Sequence, residues 1–162
     1  KECVEKGLEQ VKAWGFLGDM SQAVHEHAVK NGYSVVREIG GHGVGLEFHE
    51  DPWVGYIGAA GTGMVMAPGL MFTIEPMVNM GTDEIFVDER DGWTIYTEDD
   101  MPSAQWEING SCNGKTDRKS LRGKKRKQKE ERKKVKYEYC SCSVEKRGRT
   151  CIKIRRTLGL RQ

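Results

Sequence analysis

A chain of 162 residues, 37% of them hydrophobic, suffices for one domain with a buried core. Its net charge of +2 conceals a reversal: through Glu107, 6 Lys and Arg face 19 Asp and Glu, a balance of −13, while from Ile108 onward 20 face 5, a balance of +15. No run is apolar and long enough to span a bilayer, no signal-peptide pattern opens the sequence as given, and five cysteines make no disulfide framework, so the reading expects no membrane and a reducing, cytoplasmic setting.

Residues 2–13 read as a helix, with Cys3, Val4, Leu8 and Val11 near one face. Lys1 falls inside that helical pattern, so the natural N-terminus is expected upstream. Trp14-Gly15 breaks the helix. A second follows, capped by Asp19 or Ser21, with Met20, Ala23, Val24 and Ala28 toward the core, and Asn31-Gly32 ends it. His25 and His27, two positions apart, point in different directions and read as solvated or capping. Residues 33–38 are strand-like.

The stretch Gly40-Gly41-His42-Gly43-Val44-Gly45-Leu46-Glu47-Phe48-His49-Glu50 sets two histidines and two carboxylates among four glycines. Histidine is the commonest metal ligand, and glycine lets the backbone bend or approach a ligand. Val44, Leu46 and Phe48 alternate with Gly45, Glu47 and His49, as in a half-buried strand. His42 and His49 are an odd number apart, so both serve one site only if the backbone bends or bulges between them.

Residues 51–69 read as a Gly-rich loop. Residues 71–78 form the clearest strand, with Phe72 and Ile74 on one face and Thr73 and Glu75 on the other; Pro76 marks an edge, a bulge or an end of pairing. Residues 84–88 and 93–98 form a hairpin turned at Arg90-Asp91-Gly92. A last strand starts at Ser103, with Ala104 and Trp106 on one face and Gln105 and Glu107 on the other. The expected core gathers around Val35, Leu46, Phe72, Ile74 and Trp106. Residues 1–108 thus form one unit. Residues 109–162 form a basic tail with almost no hydrophobic periodicity, expected to be poorly ordered.

His42, Glu75 and Glu107 supply an imidazole and two carboxylates, a donor set that suits a first-row divalent metal. Carboxylates also bridge paired ions in hydrolases. Pattern alone leaves open whether both glutamates instead face water across an exposed sheet.

The segments Tyr33-Ser34-Val35-Val36-Arg37-Glu38, Gly41-His42-Gly43-Val44-Gly45, Phe48-His49-Glu50-Asp51-Pro52, Pro68-Gly69, Phe72-Thr73-Ile74-Glu75-Pro76-Met77-Val78-Asn79, Asp91-Gly92-Trp93-Thr94 and Ser103-Ala104-Gln105-Trp106-Glu107 closely resemble, in order and spacing, the type I methionine aminopeptidases. Residues 1–32 fit the two helices preceding this region in the family. The resemblance covers about two thirds of the chain. It implies an α/β (α+β) pita-bread fold of the creatinase and aminopeptidase kind, of which this chain would hold the C-terminal half. It implies His42, Glu75 and Glu107 as ligands of two divalent ions, Co, Mn, Fe or Zn, with Glu107 bridging both. By the same likeness Glu75 is also the general base, and His49 contacts the substrate peptide and the developing oxyanion. Phe48 and Trp93 line the methionine pocket. The implied reaction removes the N-terminal methionine from nascent polypeptides, by a cytoplasmic monomer with the ribosome as a neighbour.

The family's remaining ligands are two upstream aspartates, preceded by a further histidine, and this chain begins after all three. The resemblance therefore implies an incomplete site and an impaired fragment. The change of character after Glu107, where the family has an aliphatic strand, suggests a shifted reading frame. A proline-specific aminopeptidase of the same fold carries different segments around its histidines. The alternative of another class is a non-catalytic pita-bread module whose basic tail binds nucleic acid or ribosome. Cys112, Cys140, Cys142 and Cys151 match no standard zinc spacing.

Overall fold

A computed structural model of the chain describes residues 1–112 and 151–152. For residues 113–150 and 153–162 the expectations of poor order and nucleic-acid binding, with Cys140 and Cys142, lie outside the described residues.

Two helices open the fold, α1 (Glu2–Gln10) and α2 (Leu17–Lys30). α1 stops three residues short of the expected range, because Val11 turns to an extended backbone and Trp14 adopts a positive φ of 68°. Its buried face is Cys3, Val4 and Gly7. A Cβ on Gly7 would lie 2.8 Å from Val24 Cγ2, so the helices approach closely at this point. Asp19 does cap α2, but from within the first turn. Its carboxylate accepts the Gly61 N–H at 2.8 Å and the Phe16 N–H at 3.1 Å, which holds its pKa below the usual range and ties the loop around Gly61 to the start of the helix. His27 bridges the two helices, with Nε2 3.3 Å from Glu2 Oε2.

Among the described residues ten short strands follow: β1 (Ser34–Val35), β2 (Gly41–Gly43), β3 (Glu50–Val54), β4 (Met71–Ile74), β5 (Met77–Asn79), β6 (Ile85–Val87), β7 (Ile95–Thr97), β8 (Ser103–Gln105), β9 (Ile108–Ser111) and β10 (Cys151–Ile152). They pair antiparallel into three sheets, ordered β3-β2-β4-β9, β1-β5-β8 and β10-β7-β6. The continuous strand expected over residues 71–78 is divided. β4 pairs with β9 and β5 with β8, while Glu75 and Pro76 belong to neither ladder. Pro76 has no N–H to give, which suits a break there. The opposing segment changes sheet at the same level, between Gln105 and Ile108.

Phe72 and Ile74 face the helices and are fully buried with Val4, Met20, Val24, Val35 and Val54. Trp106 packs on this cluster partly buried. Leu46 does not join the core: it is 105% exposed, and Phe48 is 66% exposed. The half-buried strand expected from Val44, Leu46 and Phe48 is absent. β2 ends at Gly43, and residues 45–49 run as bends before β3 returns. A Cβ on Gly43 would collide with the Asp51 carbonyl, so the strands meet there through glycine. The loop expected over residues 51–69 contains most of β3 and buries Tyr56 and Met66. The ordered unit also passes the expected boundary at residue 108. β9 pairs with β4 through Ser111, and Cys112 is buried in the core, its N–H donating to the Leu70 carbonyl at 2.9 Å.

The expected hairpin forms from β6 and β7, with Phe86 directly opposite Tyr96 and their rings 5.4 Å apart. Asp91 organises its turn, accepting from the Trp93 and Thr94 N–H groups and the Thr94 hydroxyl.

Candidate metal centre

The break between sheets fixes the two glutamates. Ile74 lies opposite Ile108 at the end of the β4–β9 ladder, so the next residue along one segment, Glu75, and the preceding one on the other, Glu107, leave it together. Side chains alternate along a strand, so Glu75 points away from the helix-covered face that holds Ile74. His42 reaches the same place from β2. The expected bend between the two histidines is found after β2, where residues 45–49 run as bends; the register of β2 against β3 also shifts, with Asp51 and Pro52 as the extra residues on β3.

One ligand atom from each of His42, Glu75 and Glu107 lies within 4.8 Å of the others. His42 and Glu75 are partly buried and Glu107 is exposed. His42 Nε2 stands 3.6 Å from Glu75 Oε1, while Nδ1 pairs with the Gly43 carbonyl at 2.9 Å, leaving Nε2 turned to the cluster. Against His42 lies His49, ring centroids 4.2 Å apart, and Phe48 stands edge-on to His49 at 4.5 Å. Neither belongs to the donor cluster. Trp93 comes from the separate hairpin sheet, leading into β7, and is half exposed.

Three residues that sequence reasoning gave no role in the site support it. The Thr73 hydroxyl donates to Glu75 Oε1 at 2.6 Å. Gln105 Nε2 donates to the other carboxylate oxygen at 3.2 Å. Buried Tyr56 accepts the Glu75 backbone N–H at 2.7 Å. Thr73 and Gln105 share the strand faces of Glu75 and Glu107, a signal already in the alternation; Tyr56 gave none.

Burial pushes the Glu75 carboxyl up from 4.5 to about 7, and the Glu107 charge adds to the rise; Thr73 and His42 pull the other way. This carboxylate's hydrogen-bond donors, Thr73 and Gln105, are neutral. Two adjacent carboxylates and an imidazole, one carboxylate held at so high a pKa, fit a divalent cation.

The same shift gives a stability prediction for the metal-free protein. A folded-state pKa above the unfolded value means that Glu75 binds a proton more tightly when folded. That contribution is complete below about pH 4.5 and lost as pH rises through about 7. A shift of this size corresponds to about 3 kcal/mol. Glu75→Gln, which mimics the protonated form, is expected to match the unsubstituted chain near pH 4.5 and to exceed its stability at pH 8. Urea unfolding in chelator at the two pH values checks this.

Comparison with known proteins accords with this geometry. The sequence profile of metallopeptidase family M24 matches residues 1–107, and the chain belongs to that family. Within it the likeness is to methionine aminopeptidases. Methionine aminopeptidase A of a Synechocystis species is 46% identical over 107 residues, spanning 66% of this chain and 42% of the relative. The enzyme of Rickettsia prowazekii is 42% identical over 106 residues, 65% of this chain and 41% of its own length. The crystal structure of a Rickettsia prowazekii methionine aminopeptidase superposes with a TM-score of 0.68 at 39% identity, over 70% of this chain and 46% of that one. For the Thermotoga maritima enzyme the values are 0.67, 39%, 70% and 45%. The pita-bread fold is thus present, and the chain spans less than half the length of these relatives. Among the described residues no helix is long and apolar enough to cross a membrane.

Proposed function

We propose that this chain supplies metal ligands and substrate contacts to a hydrolase that removes N-terminal methionine from newly made polypeptides. The observation that carries the reading is the convergence of His42, Glu75 and Glu107, from three separated segments, on one place. The resemblance to methionine aminopeptidases supplies the substrate. His42, Glu75 and Glu107 would hold two divalent ions, with Glu107 shared. Such ions acidify a water and polarise the scissile carbonyl.

The chain's own groups do the rest. Glu75 takes the proton of the attacking water on a carboxylate oxygen and passes it to the leaving amine. His49, packed on His42 outside the donor cluster, donates a hydrogen bond to the oxyanion that develops on the methionyl carbonyl. Phe48, exposed beside His49, and Trp93 form apolar walls suited to an unbranched thioether side chain. Three protein donors are few for two ions, so residues 1–162 alone should turn over poorly. A reducing, cytoplasmic setting and monomeric action near the ribosome belong to the same proposal.

The test is release of free methionine from a Met-Ala peptide by a chain extended to the length of its relatives, with Mn²⁺ or with chelator. Metal-dependent release is expected; an inert metal-loaded protein overturns the assignment.

A further inference from the structure

β2 and β4 meet beside the metal centre at one registered position, Gly43 opposite Phe72, and the Val44 N–H donates to the Met71 carbonyl at 3.0 Å just beyond it. One residue to the other side a side chain takes part. The backbone N–H of His42 donates at 2.9 Å to the hydroxyl of Thr73. That hydroxyl gives its own proton to Glu75 Oε1 at 2.6 Å; the His42 carbonyl, at 3.5 Å, is the poorer acceptor. Tyr56 works from the other side, accepting the Glu75 N–H and lying 3.4 Å from the Thr73 carbonyl. A Cβ on Gly41 would clash with the Tyr56 hydroxyl and lie 2.6 Å from the Thr73 carbonyl, so only glycine lets the wedge sit there.

Thr73 is 1% exposed, and its hydroxyl bonds two of the three ligand residues, accepting from one and donating to the other. Groups that hydrogen-bond a ligand fix its orientation, and removing them costs metal affinity. We propose that Thr73 is the positioning residue of the metal centre, its single hydroxyl holding the His42 backbone and the Glu75 carboxylate in place relative to each other. The inference rests on the metal-centre reading above.

The experiment compares Thr73→Val and Thr73→Ser with the unsubstituted full chain. Valine keeps the shape and loses the hydroxyl; serine keeps the hydroxyl. Mn²⁺ binding is followed by electron paramagnetic resonance, and exchange of the His42 amide is followed in the metal-free protein. Thr73→Val is expected to weaken Mn²⁺ binding by about 10- to 100-fold and to speed His42 amide exchange. Thr73→Ser is expected to restore both. Unchanged Mn²⁺ affinity in Thr73→Val overturns the inference, and so does a loss that serine fails to rescue. Absence of Mn²⁺ binding by the unsubstituted chain is a different failure: it overturns the metal-centre reading, and the inference with it.

Discussion

In the enzyme extended to full length, Glu75→Gln is expected to cut turnover by about 10²- to 10⁴-fold, the usual contribution of a positioned general base. The amide keeps the size of the side chain and offers Thr73 an oxygen, so the local packing around Ile74 and Tyr56 should hold. What it loses is the negative charge and the basic oxygen. Metal affinity should fall too, since one of the two anionic donors is lost. Measuring turnover at several Mn²⁺ concentrations separates the two losses: a deficit that persists at saturating metal belongs to the base. Recovery of full turnover by metal alone would remove Glu75 from proton transfer and leave it a ligand only.

His49→Ala should show the opposite division. Its ring packs against His42 at 4.2 Å yet stands outside the donor cluster, so Mn²⁺ affinity should be preserved. Loss of a donor aimed at a developing oxyanion typically costs about 10²- to 10³-fold in kcat. An interaction made only in the transition state lowers kcat and kcat/KM together, leaving KM in place. A rise in KM with kcat intact would instead make His49 a ground-state binding residue. Loss of metal in parallel with activity would make it part of the metal centre.

Much of this site was legible before any fold was known, and the reason is periodicity. The alternation over residues 72–75 separates Phe72 and Ile74 from Thr73 and Glu75, and the structure keeps that division. The odd spacing of His42 and His49 required a bend, and residues 45–49 run as bends. The same rule failed seven residues from Glu38, at Gly45. Val44, Leu46 and Phe48 alternate, but beyond Val44, whose N–H donates to the Met71 carbonyl, residues 45–49 run as bends, and Leu46 has no buried face to enter. Alternation describes a strand only where a partner completes the ladder. Tyr56 was invisible for a different reason. Its role comes from a hydrogen bond to a residue 19 positions away, and its neighbours in sequence read as loop. The end of the ordered unit was misplaced because residues 109–112, Asn-Gly-Ser-Cys, lack strand-forming side chains. Pairing with β4 makes residues 109–111 a strand nonetheless, a case of tertiary context overriding propensity.

That His42, Glu75 and Glu107 bind metal together is tested most directly by anomalous diffraction from crystals of the protein grown with Mn²⁺. A manganese peak is expected in contact with the His42 imidazole and both carboxylates, with His49 beside it and not coordinated. Manganese bound elsewhere, with these three side chains turned apart, would contradict it.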